Sequence, residues 1–152
     1  MIRERTKTVT RRVGWWKDRN GLHLIRAGDR LAACEKVTGR KPGEPLVRLA
    51  ELQVVGVRRE SLHDLITDTE YGAREVAAEG FPGMDPREFV QRFFIDAQGC
   101  DLSVDVTRIE FRYVHEPRVI GEVVACACGW APPLGASRWR ALDRHLAEEW
   151  ES

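Results

Sequence analysis

The stretch Lys7-Thr8-Val9-Thr10-Arg11-Arg12 holds the residue types best suited to chemistry. A threonine hydroxyl is a weak nucleophile until a neighbouring base takes its proton, and a lysine amine can be that base when its surroundings favour the neutral form. In an extended segment alternate side chains face opposite ways, so Lys7 and Thr10 meet only if the segment turns. The stretch therefore predicts either an acid–base site or a solvated basic strand whose threonines are β-formers.

The distribution of charge along the chain indicates an anionic partner. The formal net charge is +0, yet residues 1–60 hold 15 Lys/Arg and 7 Asp/Glu, whereas residues 61–152 hold 9 and 17. A basic region attracts phosphate groups. The alternatives are a solvated charged surface and a basic half that docks on acidic helices of the same chain.

Aromatic residues beside these cations suggest base stacking. Trp15 and Trp16 follow the basic stretch directly, and Tyr71 lies further along the chain. Stacking of a base on an aromatic side chain contributes roughly 1–3 kcal/mol. We expect one of the two tryptophans to be buried in the core and the other to lie near the site. The predicted contacts to a nucleotide or nucleic acid are Lys7, Thr8, Arg11, Arg12, Trp15, Trp16 and Tyr71.

A third group of residues predicts a metal site near the C-terminus. The turn Cys126-Ala127-Cys128-Gly129-Trp130 precedes an amphipathic pattern that contains His145, an arrangement that resembles a trimmed zinc finger. Thiolate and imidazole are good zinc ligands, but a structural site needs four. The fourth would have to come from His115 or Glu149. The alternative is a metal-free finger held by its tryptophan-rich core, and no other cofactor is expected to be required.

The elements that must position these residues follow from periodicity and turn signals. Three stretches rich in β-formers predict strands at 30–37, 46–58 and 104–114. Helices are predicted after Ser61, over 71–78, from the Asp85-Pro86 pair onwards and over 136–150, and a further strand at 118–125. This order is that of an α+β fold, either a small mixed barrel or an open sheet.

Three landmarks in the right order resemble the ASCH domain family, which has a PUA-like fold. Residues 7–12 resemble its K-T-x-T-x-R signature, and Gly28-Asp29 resembles the Gly-Asp turn that leads into a strand. Residues 106–111, Val-Thr-Arg-Ile-Glu-Phe, resemble the closing I-x-F strand. The resemblance implies a PUA-like mixed β-barrel with helices covering one end and a basic cleft lined by the signature.

The resemblance also implies a choice between two activities. Many ASCH domains are thought to bind RNA, and a small bacterial branch hydrolyses N4-acetylcytidine. In that branch a lysine and a threonine of the signature act together with a later glutamate. These roles fall on Lys7, Thr10 and Glu79, with Glu75 as the alternative carboxylate.

The resulting domain prediction is an ASCH-like domain over 1–115, followed by a hairpin and amphipathic helix over 116–152. No run approaches the ~20 apolar residues of a membrane helix, and the basic start lacks the apolar centre of a signal peptide, so we expect a cytoplasmic protein. Three functions stay open: a module that binds RNA or a modified nucleotide, an amidohydrolase, and a protein-interaction module that docks through its last helix.

Overall fold

The computed structural model describes residues 1–17, 19–22, 24–35, 39, 41–120, 123–133 and 137–150. Its strands are β1 (Val9–Val13), β2 (Arg30–Cys34), β3 (Arg48–Ser61), β4 (Asp105–Tyr113), β5 (Pro117–Ile120) and β6 (Val123–Cys126). Its helices are α1 (Asp64–Thr67), α2 (Thr69–Ala78), α3 (Pro86–Val90), which continues as a π-helical segment over Gln91–Asp96, and α4 (Arg138–Trp150). The predicted α+β class is confirmed.

Two sheets account for the strands that the structure describes. The first has four strands in the order β1-β4-β3-β2, and the second is the β5–β6 hairpin. β1 runs antiparallel to β4, with Arg11 opposite Arg108, and β2 runs antiparallel to β3, with Leu31 opposite Leu52. This register places two arginines side by side, which requires an anion between them.

The chain divides into two compact units, each built from separate stretches. The first unit comprises Met1, residues 6–29 and residues 54–111. The second comprises residues 2–5, 30–53 and 112–152.

The first unit has an apolar core between its helices and β4. The fully buried members of this core are Leu62, Leu65, Val76, Phe89, Val90, Phe94 and Val106. Asp85 accepts hydrogen bonds from the backbone N–H groups of Arg87 and Glu88, which confirms the helix start predicted at Asp85-Pro86. Gly72 lets α2 lie directly on α1, because a Cβ there would come within 2.0 Å of the Leu65 carbonyl oxygen.

Ser61 does not cap a helix as predicted. It is the last residue of β3, where its hydroxyl accepts a hydrogen bond from the His63 backbone, and α1 begins only at Asp64. The Asp64 carboxylate accepts in return from the Ser61 backbone. The C-terminal end of β3 therefore lies at Ser61, beyond the end of the strand predicted at 46–58.

The second unit contains the hairpin and α4. The single strand predicted over 118–125 is wrong, because two antiparallel strands occupy the region, with Val119 opposite Val124. The Gly121-Glu122 pair between the two β-branched runs is a sequence pattern typical of a hairpin, and the prediction of a single strand overlooked it. Gly129 has a φ of +94° and a Cβ there would lie 2.2 Å from the Leu49 carbonyl oxygen, so the turn after β6 needs glycine.

Candidate functional sites

A buried cluster of charged side chains surrounds Arg11 in the first unit. The Arg11 side chain is 0% exposed, and its guanidinium donates to Glu60 at 2.6 Å, to Glu75 at 2.5 Å and to Glu79 at 3.2 Å. Burial alone would lower the pKa of Arg11, but the Glu60 and Glu75 carboxylates reverse this and raise it. The guanidinium therefore stays charged and serves as the fixed centre of the cluster.

The neighbouring elements bring these groups together by their periodicity. Along β1, Val9 and Arg11 are buried while Arg12 is exposed, as expected for a strand with one face on the core. Glu75 and Glu79 are four residues apart, so they share one face of α2. The Thr8 backbone N–H donates to the Ala78 carbonyl at 2.8 Å, which ties the end of α2 to the start of β1.

Glu75 separates the two adjacent arginines of the sheet. It accepts from Arg11 and from both Nε and a terminal nitrogen of Arg108, at 2.6 and 3.0 Å. Burial alone would raise the pKa of Glu75, but the hydrogen bonds from Arg108 and Arg11 outweigh it and hold that pKa below its ordinary value. Sequence reasoning missed Arg108 and Glu60, although an arginine inside an apolar strand is a signal for a buried ion pair.

Lys7 and Glu79 are brought together, as the catalytic hypothesis requires. The Lys7 ammonium lies 2.7 Å from a Glu79 oxygen, and the two side chains are 18% and 4% exposed. Thr10 has a different partner, because its hydroxyl accepts a hydrogen bond from Arg12 at 2.9 Å. Thr10 and Arg12 alternate with the buried Val9 and Arg11, so they lie on the other face of β1.

Tyr71 connects the cluster to an exposed basic surface. Its hydroxyl is hydrogen-bonded to the Glu60 carboxylate and to Arg58. The guanidinium carbons of Arg58 and Arg74 each lie 5.6 Å from the centre of its ring, within cation–π distance. Burial and the Glu60 carboxylate raise the pKa of Tyr71, so it is a neutral hydrogen-bond donor at physiological pH.

Trp15 and Trp16 are both half-buried, so the expectation that one would be buried in the core is wrong. The Trp16 backbone donates to the Thr107 hydroxyl at 3.1 Å, and its indole N–H donates to the Val13 carbonyl at 3.2 Å. These bonds hold the segment just beyond the end of β1. The Lys17 ammonium lies 5.9 Å from the centre of the Trp15 ring. The residues Arg12, Trp15, Trp16 and Lys17 are called the basic–aromatic strip below.

In the second unit, His115, Cys126, Cys128 and His145 form a compact cluster of metal-ligating atoms. All four atoms lie within 4.8 Å of one another, with Cys128 Sγ 3.3 Å from His145 Nε2 and Cys126 Sγ 3.8 Å from His115 Nδ1. Two thiols and two imidazoles are a common ligand set for structural zinc. Of the two candidates for the fourth position, the structure places His115 in the cluster.

Glu149 takes a supporting position. Its carboxylate lies 3.6 Å from His115 Nε2, the ring nitrogen that faces away from the cluster. Metal-binding histidines usually donate their other N–H to a carboxylate, which fixes the ring orientation. Sequence reasoning named His115 and Glu149 as alternatives for the fourth ligand, whereas the structure places His115 in the cluster and Glu149 beside it.

The hairpin turn and α4 converge on this cluster. The Cys126 backbone N–H donates to the Trp130 carbonyl at 2.8 Å, and the Trp130 ring stacks on His145 with centroids 4.4 Å apart. Burial raises the pKa of the Cys126 thiol to about 11, and burial together with the Arg5 charge lowers the pKa of His145. His145 is therefore a neutral imidazole, the form that binds metal ions.

The fold resembles two solved structures. Protein EF3133 from Enterococcus faecalis V583, of family DUF984, matches with a TM-score of 0.51 and 14% identity over 74% of this chain and 67% of its own. An ASCH domain from Lactobacillus crispatus JV V101 matches with a TM-score of 0.42 and 16% identity over 76% of this chain and 69% of its own. At these identities the likeness concerns the fold alone.

The likeness to EF3133 agrees with the predicted α+β fold, while the ASCH family and its amidohydrolase branch stay predictions. No family model matches the chain, and no curated protein sequence is significantly similar to it. Among the helices that the structure describes, none has the length and apolar composition needed to span a bilayer.

Proposed function

We propose that this protein binds RNA or a nucleotide and that the basic–aromatic strip is the contact surface. The observation that carries the proposal is that Trp15 and Trp16 are both half-exposed, while Trp16 is held by hydrogen bonds from its backbone to β4 and from its indole to β1. Burial of large aromatic rings is strongly favourable, so two accessible tryptophans beside two cations suit a ligand with flat rings and negative charge.

The strip matches the two parts of a nucleotide. Arg12 and Lys17 are exposed and can neutralise phosphate oxygens, and the two indoles can accept bases on their faces. Arg11 was predicted to contact the nucleotide, but its guanidinium is enclosed. It holds β1 against the carboxylates of Glu60, Glu75 and Glu79.

The test is the binding of a fluorescein-labelled single-stranded RNA, followed by fluorescence anisotropy at several salt concentrations. The double variant W15A/W16A should bind at least tenfold more weakly, because stacking contributes roughly 1–3 kcal/mol per base. Arg12→Ala should reduce the slope of log affinity against log salt by about 0.7. Val55→Ala, an exposed residue of β3, is the control. Wild-type affinity in W15A/W16A would refute the proposal.

A second candidate is hydrolysis of an N-acylated base such as N4-acetylcytidine, favoured by the 2.7 Å contact between Lys7 and Glu79. In this candidate Lys7 supplies the base and Glu79 the acid that amide cleavage needs. Thr10, the predicted nucleophile, lies on the other face of β1 and accepts from Arg12, so Lys7 takes a proton from a water molecule whose oxygen attacks the acyl carbon. Glu79 protonates the departing exocyclic amine, and the acyl group is released as a carboxylic acid.

Incubation with N4-acetylcytidine, followed by chromatography for cytidine, tests this candidate. Lys7→Ala and Glu79→Ala should each abolish turnover, and the double variant K7A/E79A should be little worse than either single variant, since the residues act as a unit. Thr10→Ala should keep turnover at the wild-type rate, and Lys41→Ala, an exposed lysine outside the strip, is the control. Loss of turnover in Thr10→Ala would make Thr10 the nucleophile, and no turnover in the wild type would leave binding as the only function.

We also propose that the His115, Cys126, Cys128 and His145 cluster binds a structural zinc ion. The four ligand atoms are close enough for one tetrahedral ion, with distances to zinc of about 2.3 Å for sulfur and 2.0–2.1 Å for nitrogen. All four cysteines of the chain are free thiols, which suits a reducing compartment such as the cytoplasm.

A further inference from the structure

A groove on the second unit runs between the turn after β6 and the outer face of α4. It has a volume of about 410 Å³, and the residues that line it include Trp130, Ser137, Arg140, Arg144, His145 and Glu148. Arg140 and Arg144 are four residues apart and exposed, so both guanidinium groups reach the same wall of the groove. Among the residues that the structure describes, no carboxylate forms an ion pair with either arginine.

The charges of α4 run against the helix dipole. Arg138 and Arg140 lie in the first turn, which contains no acidic residue, whereas Glu148 and Glu149 lie near the C-terminal end. The dipole favours the opposite placement, with acidic residues first and basic residues last. The arginines therefore do not serve the stability of the helix itself, and an external anion would offset the unfavourable placement.

Aromatic groups accompany these cations. Trp130 is held in place by its parallel stacking on His145, with 2° between the ring planes. Paired guanidinium groups beside an indole ring are a chemistry that suits phosphate groups linked to bases.

We propose that this groove binds the phosphodiester backbone of single-stranded RNA, as a second contact surface of the protein. The inference rests on the RNA binding proposed above. Arg140 and Arg144 each donate to phosphate oxygens, for which the planar guanidinium fork is well matched, and the Ser137 hydroxyl donates at the N-terminal end of the groove. Glu148 repels phosphate at the other end, so the strand occupies the part of the groove nearest the start of α4.

The test compares two full-length variants that each lose two exposed arginines. R140A/R144A removes the groove cations, and R87A/R92A removes two cations of the first unit as a control for net charge. Binding of the labelled RNA should weaken several-fold in the first variant only. The slope of log affinity against log salt should fall by about 0.7 for each groove arginine removed. Unchanged melting temperatures show that folding is intact, and R140Q/R144Q replaces the alanine variant if they are not.

Each outcome separates this inference from the function on which it rests. If W15A/W16A weakens binding and R140A/R144A does not, the groove assignment is overturned and the RNA-binding function remains. If the wild type binds no RNA, both are overturned. If poly-glutamate competes as well as RNA of equal charge, the groove is a general anion site and the phosphodiester assignment is wrong.

Discussion

The charged cluster of the first unit and the Cys/His cluster of the second both place polar side chains away from water, but they differ in the groups that face one another. In the first, Lys7, Arg11 and Arg108 face Glu60, Glu75 and Glu79, so the protein supplies both signs of charge. In the second, two thiols and two imidazoles face one another. A buried polar group needs a partner: in the first cluster each charge faces a charge of opposite sign, whereas in the second the thiols contact the two imidazoles and the Val114 carbonyl.

The difference indicates how each site is used. Among the described residues no buried side-chain nitrogen or oxygen lacks a hydrogen-bond partner, so the charged cluster is complete without a ligand. It acts as a rigid support for Lys7 and for β1. Because the pKa of Cys126 is raised to about 11, its thiol is neutral in the absence of a metal, and the thiolates of the proposed zinc site would need the cation to offset their charge.

The largest effect expected is loss of the metal. Cys128→Ala should abolish zinc retention, because a structural zinc supplies apparent binding energies of about 10–16 kcal/mol in zinc-finger peptides. Wild-type protein purified without chelator should contain about one zinc per chain by elemental analysis, and chelator should lower its melting temperature. Cys100→Ala, a half-buried thiol of the first unit, is the control. A metal-free wild type with unchanged melting after chelation would favour the metal-free finger.

The next effect should come from the centre of the charged cluster. Arg11→Met should lower the free energy of unfolding by about 3–5 kcal/mol, because it leaves buried carboxylates without their cation. Arg12→Ala, on the exposed face of the same strand, should change it by less than about 0.5 kcal/mol. Urea denaturation measures both. Equal effects of the two substitutions would show that the cluster is not buried in solution.

A smaller effect is expected where the charged cluster reaches the surface. Tyr71→Phe removes the hydroxyl that links Glu60 to Arg58 and should cost about 1.5 kcal/mol, the lower end for a hydrogen bond to a charged group. Arg58→Ala leaves the bond from Tyr71 to Glu60 intact and should cost less than about 0.5 kcal/mol, because Arg58 is exposed. If Arg58→Ala is the more destabilising of the two, Arg58, and not the Tyr71 hydroxyl, is the group that stabilises Glu60 at the surface.

The smallest effect is the acid dependence of the charged cluster. Because the pKa of Glu75 is lowered in the folded protein, its stabilising contribution is present above the ordinary value of 4.5. The contribution is lost as pH falls through the lowered pKa. The free energy of unfolding should therefore decrease below about pH 4.5, and Glu75→Gln should show a shallower decrease. Identical acid dependence in the wild type and in Glu75→Gln would assign the effect to other carboxylates.

Patterns among neighbouring residues predicted many of the helices and strands, but they predicted little of how the strands and helices pair with one another. The Asp85-Pro86 start of α3 and the β4 strand are visible in the sequence because capping and alternation involve neighbouring residues. The hairpin was missed because the prediction of a single strand overlooked the turn signal of the Gly121-Glu122 pair within a run of β-branched residues. One of Trp15 and Trp16 was expected in the core, yet both are half-buried, because solvent exposure depends on what packs against a residue.

The amino-acid sequence alone shows which reactive residues the protein carries: a basic signature with Lys7 and Thr10, a Cys-x-Cys turn, and a helical His145. Which of these residues meet is visible only in the folded chain. The fold joins Lys7 to Glu79 across 72 positions of the chain, and it places His115 in the Cys/His cluster with Glu149 beside it. The reason is that side-chain direction on a strand or helix is a local property, whereas the partner at that direction is supplied by distant segments whose packing minimises buried, unpaired charge.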